Sequence, residues 1–180
     1  MSVEQDRAEI VRLHEEWWAS DHSIPRMRPC FPEGDAYLMY NVSGHPYYGI
    51  DEKVVLWKHY QGRIECPEPP KFSIERLEIR GDMAWLAAVG TVKLQVVGPA
   101  GTGSGSFQPP RGALPIATAE PSTEAYQLTV HSTEVYQRDD GAGKAVWKMW
   151  HFHGSSTAPV EEPRPAFGDT FVSRGTLPKV

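Results

Sequence analysis

Apolar residues recur every three to four positions near the start of the chain. Ile10, Leu13 and Trp17 make one stripe, and Val11, His14 and Trp18 make the stripe beside it. This is helix periodicity, and the width of the arc predicts a helix buried over much of its circumference. Pro25, Pro29 and Pro32 follow and leave room only for short turns. Residues 36–41 read as a strand, 42–46 as a turn, and Tyr47-Tyr48 as a short return strand. Gly49-Ile50-Asp51 opens a second helix with Asp51 as its expected N-cap; Leu56, Tyr60 and Arg63 share one face of it. Cys66-Pro67-Glu68-Pro69-Pro70 is an extended linker.

Period-two patterning takes over in the second half. Residues 72–80 alternate, Gly81-Asp82 is a hairpin turn, and 83–97 form a long strand rich in Val, Ala and Leu. Residues 123–138 and 144–154 make a second hairpin around Asp139-Asp140-Gly141-Ala142-Gly143. The stretch 98–121 between the hairpins is dense in Gly, Pro and Ser and reads as a long flexible loop. Residues 159–180 are a proline-rich tail with Phe167 and Phe171 as isolated anchors. One domain over 1–158, with the loop inserted and the tail appended, is the expected organisation. Helices followed by a meander of long antiparallel strands imply an α+β fold, a curved antiparallel sheet with helices on its concave face around a pocket.

Composition narrows the function classes. With 40% hydrophobic and 11% aromatic residues over 180 positions, the chain can build a substantial core. A formal net charge of −5 offers no basic field for nucleic acid. No apolar run approaches the roughly 20 residues that span a bilayer, so no membrane partner is expected. The first residues have no apolar core like that of a secretory signal. Two cysteines, Cys30 and Cys66, make neither a disulfide framework nor a zinc site. A reduced, cytoplasmic protein is the expectation.

The last hairpin carries the most specific pattern. Thr133-Glu134-Val135-Tyr136-Gln137-Arg138-Asp139-Asp140-Gly141 is followed by Trp147-Lys148-Met149-Trp150-His151-Phe152-His153-Gly154-Ser155. It resembles the association domain of calcium/calmodulin-dependent protein kinase II, whose last strand is also Trp-led and closes on His-Phe-His. The order of elements resembles the nuclear transport factor 2-like superfamily, and within it the SnoaL-like branch of polyketide cyclases, ketosteroid isomerase and scytalone dehydratase. The resemblance implies a cone-shaped fold around a pocket. Pocket arginines of the association domain fall here on Gly90, Glu134 and Gly154, which implies a roomier cavity with one acid left inside. The catalytic base of ketosteroid isomerase falls near Tyr40, its oxyanion-binding acid near Glu134, and its first-helix tyrosine near Leu13 or His14.

Several residues are candidates for chemistry. Glu134 facing inward would be desolvated and available as a general acid or base; facing outward it is a surface carboxylate. Tyr40 and Tyr48 belong to a tyrosine cluster around the first strand pair that could polarise a carbonyl. His151 and His153 share a strand face, and no further cluster completes a metal site. They face the pocket or an outer interface according to register, and His151 is the catalytic candidate. Arg63 could anchor a polar group at the pocket mouth, and Trp150 could stack on an aromatic ligand. The resulting expectation is a lyase, isomerase or dehydratase with no metal or organic cofactor, using acid–base chemistry on a bulky aromatic or polycyclic molecule. Formaldehyde elimination from lignin-derived diaryl fragments, or dehydration, is its sharpest form. The alternative is a non-catalytic small-ligand-binding or oligomerisation module. Either implies a homo-oligomer, a dimer or trimer, because the outer sheet face needs a cover.

Overall fold

Serine at position 2 starts the first helix, α1 (Val3–Trp18), through a reciprocal cap. Its hydroxyl accepts from the Gln5 N–H, and the Gln5 side chain accepts from the Ser2 N–H at 2.7 Å. The computed structural model describes residues 2–20, 23–42, 46–98 and 121–157. The expected turn at 43–45, nearly all of the 98–121 loop and the 159–180 tail lie outside them.

After α1 come a short helix α2 (Ile24–Met27), a 3-10 turn (Arg28–Cys30) and strands β1 (Leu38–Tyr40) and β2 (Pro46–Tyr48). Helix α3 (Gly49–Tyr60) begins two residues before the expected cap: Asp51 lies in its first turn, and the Tyr48 N–H is taken by the Glu52 carboxylate at 2.6 Å. The sheet is then completed by β3 (Ile64–Glu65), β4 (Lys71–Arg80), β5 (Met83–Val96), β6 (Tyr126–Arg138) and β7 (Trp147–Thr157).

These strands form one curled, mixed sheet in the order β2-β1-β7-β6-β5-β3, with β4 also on β5. All pairings are antiparallel except β1 with β7. The buried side of β6 carries Leu128, Val130, Ser132, Glu134 and Tyr136, the alternation of a half-buried strand. On β7 the alternation changes hand midway. A bulge faces the Val135–Tyr136 step, where Val135 pairs with His151 and Tyr136 with Met149, leaving Trp150 as the extra residue. Trp147 and Met149 are buried before the bulge, Phe152 and Gly154 after it.

Helix α1 lies across this surface with Ile10, Leu13, His14 and Trp17 buried. Its depth is fixed by Asp6, which is itself buried. The Trp147 indole donates to one Asp6 oxygen at 2.9 Å and the Arg138 guanidinium to the other at 2.6 Å. Arg138 also lies over the Trp147 ring at 4.8 Å and bonds Asp82 at 2.9 Å. One buried carboxylate thus ties the first helix to the last hairpin, and about two and three turns later the helix delivers His14 and Trp18 against β6.

Candidate active site

Glu134 is fully buried in the middle of β6. Alternation places Ser132 and Tyr136 on the same side of the strand, and both turn to its carboxylate. Tyr136 donates to Oε2 at 2.5 Å, and Ser132 approaches Oε1 at 3.4 Å. From α1, His14 Nδ1 sits 3.1 and 3.0 Å from the two oxygens, and the Trp18 indole donates to Oε1 at 3.2 Å. A carboxylate with four neighbours of this kind accepts from all of them, so the proton on His14 is assigned to Nδ1. The other ring nitrogen, Nε2, is buried with no hydrogen-bond partner among the described residues. Burial pushes the Tyr136 phenol well above its ordinary range, and the neighbouring Glu134 charge adds to the rise. Tyr37 is raised in the same way, by burial first and Glu134 second, and its hydroxyl has no partner among the described residues.

Two hollows flank this cluster. The first is a cavity of about 130 Å³ walled by Trp17, Trp57, Phe152 and Met39 on one side and by Val92, Leu128 and Val130 on the other. The second is a groove between α1 and β4 bounded by His14, Glu15, Phe72, Pro69 and Ile74. Trp18 and Pro70 line both. Trp18 therefore divides an apolar cavity from a groove that reaches His14. Its ring packs on Phe72 at a centroid distance of 4.0 Å, and Phe72 meets the His14 ring edge-on at 5.6 Å.

The residues expected at the site separate into two groups. Glu134 is at the centre of the cluster. Tyr40 is 38% exposed on the outer sheet face, its ring edge-on to those of His151 and His153 at 5.7 Å each. His151 is part-buried there, and its pKa is lowered by that burial. Neither joins Glu134, because His151 pairs with Val135, whose side chain points the other way from its neighbour's. Tyr48 is exposed. Trp150, turned outward by the bulge, donates to the Asp139 carbonyl at 2.8 Å. Arg63 is buried in the turn between α3 and β3. The space left by the two glycines is filled by this chain's own side chains. A Cβ at Gly90 would lie 1.9 Å from the Phe72 ring, and one at Gly154 would lie 2.8 Å from Phe152 and 2.9 Å from Val42.

Sequence reasoning reached His14 only as one of two positions, with Leu13, for the first-helix tyrosine of ketosteroid isomerase, and passed over Trp18, Ser132 and Tyr136. The last two were within reach of it, since strand alternation from Glu134 names them. His14 and Trp18 lie on the second helical stripe, and nothing local in the sequence says that this stripe meets β6. Among the described residues there is no group of three or more His, Cys, Asp or Glu that could hold a metal, and no helix long and apolar enough to cross a membrane.

No family model and no curated protein matches the sequence. Solved structures do match. An NTF2-like family protein from Streptomyces avermitilis described as a candidate dehydratase superposes with a TM-score of 0.59 at 11% identity, over 87% of this chain and 99% of that one. The chain has the nuclear transport factor 2-like fold. A ketosteroid isomerase-like protein from Erwinia carotovora atroseptica gives 0.54 at 9% identity, covering 87% and 95% of the two chains. A candidate calcium/calmodulin-dependent kinase II association domain from Exiguobacterium sibiricum gives 0.53 at 9%, covering 89% and 98%. At such identities the likeness concerns the nuclear transport factor 2-like cone itself, a curled sheet with helices on its concave face, and function has to be argued from the site.

Proposed function

We propose that this protein is a cofactor-independent acid–base catalyst, an isomerase, lyase or dehydratase, acting on an apolar ring-containing molecule. The observation that carries the reading is the buried His14–Glu134 pair with Nε2 left unpartnered among the described residues. In this arrangement Glu134 fixes the imidazole tautomer and stabilises the imidazolium that forms when Nε2 takes a proton. The same nitrogen can return that proton elsewhere on the substrate, which completes an isomerisation, or to a leaving oxygen, which completes an elimination. Tyr136, Ser132 and Trp18 hold Glu134 in place, so the base needs no reorganisation during the reaction.

Cavity size refines the substrate class. An apolar cavity of about 150 Å³ holds one benzene molecule, so the 130 Å³ found here suits a single ring. A diaryl or polycyclic substrate, the larger class expected from sequence, requires Trp18 and Phe72 to swing aside so that cavity and groove merge.

The test uses acetophenone, a single ring bearing exchangeable protons next to a carbonyl. Hydrogen–deuterium exchange at its methyl group, followed by NMR in heavy water, is expected to be catalysed by the native protein and to fall to background in His14→Asn. Equal exchange by both proteins overturns the reading. A companion reading, that the chain forms a homo-oligomer, draws support from an outer-face row that crosses the sheet in register. That row runs Trp85, Val135, His151, Leu38, Tyr48, with Trp85 39% and Tyr48 60% exposed.

A further inference from the structure

Helix α3 presents Ile50, Lys53, Leu56, Trp57 and Tyr60 to the interior at helical spacing. Four of these are apolar or aromatic; the other is a lysine that is fully buried. Leu56, Trp57 and Tyr60 line the apolar cavity, and Lys53 lies one turn earlier on the same face. Its Nζ is 4.2 Å from the Trp17 ring centroid, 5.2 Å from that of Trp57 and 5.9 Å from that of Phe152. Those three rings, with Met39, are also cavity walls. The rings of Phe31 and Tyr37, at 5.0 and 5.6 Å, close the far side. The polar contact of the amine is with Met39 Sδ at 2.8 Å. A thioether is a weak acceptor, and no carboxylate among the described residues forms an ion pair with Lys53.

An ammonium in such a place is expensive. Taking it out of water without a counter-charge carries a heavy desolvation penalty, which the surrounding π faces offset only in part. Burial accordingly drives the Lys53 pKa well below its ordinary value. The same burial favours the neutral amine, and the geometry sets its nitrogen one side chain behind the wall of a ring-sized cavity.

We propose that Lys53 captures carbonyl compounds, forming a Schiff base with a ring-sized aldehyde or ketone seated in the adjoining cavity. The Nζ lone pair attacks the carbonyl carbon, and the π electrons move to oxygen. Proton transfer from nitrogen gives the carbinolamine. The C–O bond then breaks, and the oxygen leaves as water carrying both hydrogens originally on nitrogen; a C=N bond remains. No oxidant, reductant or metal enters the balance. Met39 is the side chain that has to yield, and its unbranched, flexible chain suits that role. The surrounding rings exclude water, which favours condensation over its reverse. This assignment goes beyond the His14–Glu134 chemistry and does not depend on it.

The experiment is reductive trapping on the whole chain. The folded protein is treated at pH 7 with benzaldehyde and cyanoborohydride, and benzylation is read at each lysine by peptide mass spectrometry. Lys53 is expected to be modified at least about tenfold faster than the exposed Lys71 and Lys144. Saturating benzene, which fills the cavity but offers no carbonyl, is expected to suppress labelling of Lys53 and leave the exposed lysines unchanged. Lys53→Met, close in shape and uncharged, is expected to fold and to lose the fast phase. Labelling that follows exposure and spares Lys53 overturns the proposal, as does Lys53 labelling that benzene fails to block. Trapping reads the amine, whereas acetophenone exchange reads the histidine, so either reading can fail alone.

Discussion

His14 and Glu134 are separated by 120 residues in sequence and by 3.0 Å at their closest approach in the fold. The contact is made between the first helix and the penultimate strand, so nothing holds it except the packing of the whole domain. Glu134→Ala would strand the Trp18 N–H, the Tyr136 hydroxyl and His14 Nδ1 without an acceptor. Breaking a buried polar pair of this kind costs about 3–5 kcal/mol, and urea unfolding is expected to show a loss in that range. Glu134→Gln keeps one acceptor oxygen and a similar shape, so its loss is expected to be about 1–2 kcal/mol. Its effect on turnover is expected to be larger, about 10²-fold or more, because an amide cannot balance an imidazolium. A variant of normal activity would show that His14 does not rely on the carboxylate.

Gly90 exists to make room for Phe72. Gly90→Ala places a methyl 1.9 Å from the ring, and the ring has to leave its stack on Trp18. Overpacking of this sort costs about 1–3 kcal/mol. The expected accompaniment is a change in near-ultraviolet circular dichroism, as the Trp18–Phe72–His14 group rearranges. An unchanged spectrum would mean that Phe72 is held by something other than the glycine hollow.

Acid stability should report on Asp6. Hydrogen bonds from Arg138 first and Trp147 second hold its carboxyl below the usual 3.8. A carboxyl depressed on folding contributes stability above its unfolded pKa and loses it as pH falls through the folded value. Asp6→Asn is thus expected to be less stable than the native protein at pH 7. The gap between the two should narrow as pH drops below about 4. Parallel urea titrations across that range check it; a gap that stays constant would mean the carboxylate charge is not what matters.

The two thiols should behave differently. Burial pushes the Cys30 thiol up to about 11, and the side chain is enclosed, so it is expected to resist alkylation at pH 8 until the protein unfolds. Cys66 is part-buried and lines the apolar cavity. It is expected to react in the folded state, and prior benzene binding should slow it. Equal reactivity of the two thiols in the folded protein would contradict the burial described for Cys30.

How much of this was legible beforehand depends on the range of the interaction. The α1 stripe, the Gly81-Asp82 turn and the two long hairpins follow from local periodicity, and all are found. The inward face of Glu134 follows from alternation once the sheet is known to be covered on one side. The partnership with His14 does not, because helix periodicity gives a face but not its neighbour across the fold. Lys53 was visible as a charge on the apolar stripe of α3, a local inconsistency of the kind that marks functional sites. Tyr40 and His151 lie away from Glu134 for a different reason. Aromatic and histidine residues on strands look alike on either face, and an unforeseen bulge decided which face the second half of the last strand would show.

That bulge makes the length of β7 as consequential as its composition. Before Trp150 the odd-numbered residues face the core, and after it the even-numbered ones do. Deleting this one residue would remove the bulge and leave the later pairings and faces as they are, with His151 following Met149 directly opposite Val135 and Tyr136. Deleting His151 instead, with the bulge kept, would carry His153 into the apolar interior and expel Phe152 from the wall it shares with Lys53. A lineage bearing this fold can exchange residues along β7 one at a time, but only at the bulge can it lose one without rebuilding the cavity.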